Sequence, residues 1–241
     1  MSDPIVEIHP RGTRCSFLLS ALLALFVLYP LLGSHPAGSA LLDVFVSGAL
    51  LLTVRALRGP NRGVFFAALV LSVLAIVATA AGHLLGSVAL LPVAHVLGLL
   101  FFLLTGLTLL KRVLEPGPGT VERLQAAVCA YLLIGLGWGL VFSLMEHSQP
   151  GAFRDPLGGS HESHAVLAGF PHLIYYSFTT LTTLGFGDVV PTTAMARSLS
   201  TLEAVIGQLY LAVLVARLVG LHSDRLVADE PKECPAEGAT S

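Results

Sequence analysis

Polar residues along this chain come in short clusters and apolar residues in long runs. Six runs, roughly 16–33, 40–55, 63–82, 90–110, 121–145 and 195–221, are predominantly apolar. A helix that crosses the hydrocarbon core of a bilayer needs about 20 such residues, because in lipid each backbone N–H and C=O must be satisfied inside the segment itself. The pattern therefore predicts an all-α membrane protein with six transmembrane helices. The stretch between the fifth and the sixth reads differently. Residues 146–170 are rich in Gly, Pro, Ser and His and predict an exposed outer loop, whereas the run from Pro171 to Thr183 is too short to span. It predicts a re-entrant helix that enters the membrane and returns, with Pro171 suited to the first turn.

Composition supports the membrane assignment. The chain is 54% hydrophobic and 12% charged, with a mean hydropathy of +0.81, too little polar residue to coat a soluble domain of 241 residues. Lysine and arginine orient the helices. With both termini cytoplasmic, Arg11, Arg14, Arg55, Arg58, Arg62, Lys111, Arg112, Arg123, Arg217, Arg225 and Lys232 fall on the inner side. That is eleven of thirteen, leaving Arg154 and Arg197 outside, as the positive-inside rule requires of a multi-pass protein of the cell membrane. The loop between the last two helices then faces outward. The net charge of −2 gives no reason to expect a nucleic-acid partner. Cys15, Cys129 and Cys234 lie in the membrane or on the reducing side, so no disulfide is expected. Arg11 and Arg14 before an apolar run that ends near Ala37-Gly38-Ser39-Ala40 could also form a cleaved signal peptide. The length of the run and the helix end at Tyr29-Pro30 favour a retained helix.

Candidate chemistry concentrates in Thr179-Thr180-Leu181-Thr182-Thr183-Leu184-Gly185-Phe186-Gly187-Asp188. Stripping water from a cation takes closely spaced oxygens, and backbone carbonyls supply them only when the chain turns them all to one side. Glycine reaches the dihedrals such a ribbon needs. Gly185 and Gly187 flank Phe186, whose ring is expected to pack behind the carbonyls as a spacer. Carbonyls of Thr183, Leu184, Gly185 and Phe186, with the Thr183 hydroxyl, are then candidate ligands for a dehydrated cation.

Thr182-Thr183-Leu184-Gly185-Phe186-Gly187-Asp188 resembles the signature of tetrameric potassium channels, whose usual form is Thr-Val-Gly-Tyr-Gly-Asp. The resemblance covers about Val121 to Leu221 and nothing comparable covers residues 1–115. It implies an outer helix, a pore helix, a selectivity filter and an inner helix, assembled as a homotetramer that conducts potassium through one shared pore in contact with membrane lipids. No cofactor is implied. Tyr175 and Tyr176 occupy positions where the family often has a tryptophan pair bracing the filter, and Phe186 lacks the hydroxyl that the usual tyrosine donates to that cuff. Asp188 is expected at the outer mouth as one of a ring of carboxylates, bonded to Tyr176. Gly207, twenty residues beyond Gly187, matches the family's hinge glycine, and alignment on the filter places Gln208, Leu211 and Val215 toward the cavity. Thr182 and Glu203 are expected to support the filter, with Glu203 bonded to Thr179, Thr180 or Thr182; a carboxylate in this membrane position is a functional candidate by default.

The remaining chain narrows the gating mechanism. A voltage sensor needs charges that cross the field, and Leu90 to Leu110 holds no arginine; His95 is its one titratable residue. The domains predicted are a four-helix unit over 1–115, a pore domain over 116–222 and a disordered cytoplasmic tail over 223–241. In the outer loop His147, His161 and His164, with Glu162, and then His172 could bind zinc or protons, but solvated loop histidines are the favoured explanation. Asp43, His35 and His83 lie near the outer ends of neighbouring helices. Gly135-x-Gly137-x-Gly139 has no strand before it and reads as close helix packing. A non-selective monovalent cation channel and a non-conducting accessory subunit remain as alternatives. An enzyme does not fit, since no metal-ligand helix, nucleophile elbow or phosphate loop is found. A transporter would show broken helices in two related halves.

Overall fold

The structure, a computed structural model, describes residues 16–24, 62–85, 90–114, 121–154 and 170–228. In chain order these form α1 (residues 16–24), α2 (Arg62–Leu85), α3 (Leu90–Leu114), α4 (Val121–Ser148), β1 (Phe153–Arg154), α5 (Phe170–Leu181), β2 (Val190–Pro191) and α6 (Ala194–Ala228). Helices thus form where apolar runs are long. Among the described residues, four spans are long and apolar enough to cross a membrane: Arg62–Gly82, Leu90–Lys111, Arg123–Ser148 and Ala194–Arg217. The predicted segment 40–55 and the second half of 16–33 lie outside the described residues. So do Asp43, His35, His161, Glu162 and His164, and the side chain of His83.

Two boundaries differ from expectation. The inner helix α6 continues to Ala228, into residues expected to belong to a disordered tail. A helix already nucleated adds residues cheaply, and nothing between Leu221 and Ala228 is Gly or Pro to stop it. The outer loop is also shorter than predicted, because α4 runs to Ser148 and the chain then forms β1, which pairs antiparallel with β2 (Phe153 with Pro191, Arg154 with Val190).

The helices pack in series, α2 on α3, α3 on α4, α4 on α5 and α5 on α6. One apolar core joins Leu18 and Leu22 of α1 to Phe101 and Leu109 of α3 and to Leu133 and Leu136 of α4. The glycines of α4 set its distances to both neighbours. A Cβ on Gly135 would meet the Phe178 ring at 2.5 Å, and one on Gly139 would meet Ile174 backbone and side chain at 3.0 Å. These two, one helical turn apart, bring α5 close, while Gly137 faces Leu99 and Phe102 of α3.

Candidate functional site

The link from α5 to α6 begins where the helix runs out of hydrogen-bonding partners. Thr182 closes the last turn, its N–H donating to Phe178 O at 3.1 Å and its hydroxyl to the same oxygen at 2.6 Å. Beyond it the backbone alternates in hand. Thr183 (φ 59°), Gly185 (φ 54°) and Gly187 (φ 79°) are left-handed, and Leu184 and Phe186 between them are not. Residues that alternate between the two hands flip successive peptide planes, the local condition for a ribbon whose carbonyls face one side. Nothing lies within 4 Å of a Cβ built on Gly185 or Gly187, so these positions need glycine for its dihedrals rather than for space. Thr183 has no such freedom. A β-branched residue held left-handed carries about 1–3 kcal/mol of strain, and backbone bonds from Thr183 N to Thr180 O (2.9 Å) and from Gly185 N to Thr179 O (3.1 Å) hold it there.

Among the described residues little covers the ribbon. Leu184 is 58% exposed and Phe186 65%, so the expectation that Phe186 packs behind the carbonyls is not met inside a single chain. The aromatic residues that could receive it are engaged elsewhere. Phe142, Phe153 and Tyr176 form a triangle of edge contacts with ring centroids 5.0–5.3 Å apart, filling the space between α4, β1 and α5.

Two predicted partnerships are corrected. Asp188 is bonded by Tyr175, whose hydroxyl donates to Oδ2 at 2.6 Å, and not by Tyr176. Adjacent helical residues point about 100° apart, so only one tyrosine can face the chain beyond the ribbon; Tyr176 turns inward and donates to Ser200 Oγ at 2.6 Å. The bond to Asp188 is the main reason the Tyr175 phenol is raised to about 12, with burial and the neighbouring charge adding to it. Its proton therefore stays in place at neutral pH. The other Asp188 oxygen accepts from Val189 N at 3.0 Å. Glu203, fully buried, meets the hydroxyl of Ser177 rather than any threonine. The threonine hydroxyls are spent locally, Thr179 on Tyr176 O and Thr182 on Phe178 O.

On α6, Gly207 is buried against the end of α5: a Cβ there would stand 2.4 Å from Leu181 O and 2.9 Å from Leu181 Cδ1. The helix passes through this position without a break. Gln208, Leu211 and Val215 lie on exposed positions of the same helix.

Several contributors escaped the sequence reading. Glu146 ends α4 by accepting from Gly151 N (2.7 Å) and Phe153 N (3.0 Å), and Thr192 N donates to Ala152 O at 2.8 Å, so the chain before α5 is fastened to the chain after the ribbon. Tyr131 reaches Leu181 O at 3.3 Å, and Tyr210 ties α6 to Ala127 O of α4 at 2.6 Å. An acid closing an apolar run five residues before a glycine was a usable sign for Glu146. Among the described residues no group of three or more His, Cys, Asp or Glu could hold a metal ion.

Residues 140–222 match the family model described as Ion channel. The match begins inside α4 and takes in β1, α5, the alternating ribbon, β2 and most of α6, so the geometry above lies within the stretch that is similar to ion channels. A search of curated proteins finds no match to this chain. The helices that precede residue 140 lie outside the matched stretch.

Proposed function

We propose that the protein is a potassium-selective channel in which four copies surround one axis, each contributing the strand Thr183–Gly187 to a shared filter. The observation that carries this reading is the alternation of backbone hand at Thr183, Gly185 and Gly187 in a stretch that the other described residues leave open. A potassium ion enters by exchanging water for carbonyl oxygens of Thr183, Leu184, Gly185 and Phe186, and adjacent sites let one ion displace the next. One strand encloses nothing, which is why a closed ring of copies is required. Asp188, held by Tyr175, sets negative charge at the outer mouth, where it concentrates cations. The Leu181 contact at Gly207 makes that residue the point at which α6 bends or tightens against α5, with Gln208, Leu211 and Val215 facing the cavity below. With no arginine on α3 before Arg112, opening does not follow the voltage-sensor mechanism. The protein sits in the cell membrane among lipids with both termini cytoplasmic.

Ion flux from proteoliposomes tests the proposal. Barium-sensitive flux under a potassium gradient with little under a sodium gradient is expected. Equal sodium flux would make the pore non-selective, and absence of any flux, including after substitution at Gly207, would make the chain a non-conducting subunit.

A further inference from the structure

With Glu203 ionised, the junction behind the ribbon would contain one proton fewer than its hydrogen bonds require. Ser177 Oγ lies 2.7 Å from Gly135 O of α4 and 2.5 Å from Glu203 Oε1 of α6. Two oxygens at such distances are held together only by a proton between them. The serine hydroxyl owns one, and a backbone carbonyl owns none. The second proton has one remaining source, the carboxyl group.

A neighbouring relay shows what a balanced count looks like. Tyr176 donates to Ser200 Oγ and Ser200 donates to Ala196 O at 2.7 Å; two hydroxyls fill two gaps. At Ser177 the same arrangement exists with a carboxyl in place of the phenol.

We propose that Glu203 holds its proton and donates it to Ser177 Oγ, while Ser177 donates to Gly135 O, so that a neutral carboxylic acid ties α6 through α5 to α4.

The surroundings agree. Glu203 is 0% exposed within a single chain, before any other copy adds cover, and its second oxygen, Oε2, has no hydrogen-bond partner. An ionised carboxylate would leave a full charge facing that unfilled side, whereas a neutral acid leaves only a carbonyl. The ionisable side chains that face it are the phenols of Tyr131 on α4 and Tyr176 on α5, and neither supplies a positive charge. Removing the proton would leave one serine hydrogen contested by two acceptors, Glu203 Oε1 and Gly135 O, and the tie to one helix would be lost. Glu203 is thus a positioning residue for α5, whose C-terminal end leads directly into the ribbon.

Infrared spectra of the full-length protein in lipid at neutral pH test this without reference to conduction, so its failure and the failure of the channel reading are distinguishable. The wild type is expected to show the carbonyl stretch of a protonated carboxyl that Glu203→Gln lacks, and Ser177→Ala is expected to shift that band by removing its acceptor. A difference spectrum containing only carboxylate bands overturns the proposal. So does a protonated band that Ser177→Ala leaves unmoved, because the proton would then point elsewhere. Wild-type protein carrying 13C-glutamate reports the same carboxyl by its solid-state NMR shift, protonated if the relay is as described and ionised if it is not. That measurement does not depend on either variant folding.

Discussion

Helices α4 and α6 have similar length and apolar content, and the chain treats them in opposite ways. In the spanning part of α4, 67% of residues are buried inside the single chain; in that of α6, 17% are. α4 receives α3 on one side and α5 on the other, with glycines admitting the latter. α6 touches α5 along one edge through Ala196, Ser200, Glu203 and Gly207, and leaves Leu202, Val205, Leu209 and Val213 uncovered. The contrast teaches that one chain completes the packing behind the ribbon and not the packing in front of it. Among the described residues this face of α6 stays open, and in the proposed ring of four another copy would lie against it.

Substitutions can break or sharpen this contrast. The largest effect is expected for Phe142→Ala, which opens a cavity in the aromatic triangle: truncating a buried Phe costs about 3–5 kcal/mol, read as a clear drop in the thermal midpoint in detergent. Equal loss from Val213→Ala on the bare face would erase the distinction between the helices. Next comes a pair within α6. Gly207→Val drives a side chain into Leu181 O, and overpacking of this kind costs roughly 1–3 kcal/mol or more. Gly220→Val, with nothing within 4 Å, is expected to leave the midpoint near that of the wild type.

Third, Leu209→Asn is expected to leave the folded chain intact while reducing the assembled fraction seen by light scattering; an unchanged particle mass would assign that face to lipid. The smallest effect is expected for Tyr175→Phe, which removes one hydrogen bond worth on the order of 1 kcal/mol and should hasten the decline of potassium current in low potassium. The pH dependence of this bond has a definite sign. Because the Tyr175 phenol is raised to about 12 from an ordinary value of about 10, its contribution is complete below pH 10 and disappears as pH rises through 12. Titrating external pH from neutral to mildly alkaline should therefore not reproduce the Tyr175→Phe phenotype.

The long helices were legible because a run of apolar residues in lipid has one outcome. The ends of α4, α5 and α6 fell within a few residues of the pattern, except where α6 met no stop signal before Ala228. The ribbon was legible from Gly185 and Gly187, whose dihedral freedom has few other uses side by side. Partner identities were not. Whether Tyr175 or Tyr176 reaches Asp188, and whether Glu203 meets Ser177 or a threonine, depends on the rotation of α5 about its axis. Spacing gives the angle between residues and not the absolute phase. The β1–β2 ladder was illegible for a different reason: two residues per strand are too few to show an alternating pattern, and Phe153 reads as a stray aromatic in a polar loop until Phe142 and Tyr176 are seen around it.

The short ladder divides the outer surface into two kinds of territory. Glu146 and Thr192 help pin the two ends of the stretch between Arg154 and Val190, so a change in chain length between residues 155 and 169 falls inside a stretch that is already closed. Lengthening a loop whose ends are already joined costs little, about 0.6 kcal/mol for each doubling. That interval is accordingly the place where an epitope, a binding peptide or a reporter can be spliced in with the least disturbance to the ribbon beyond α5.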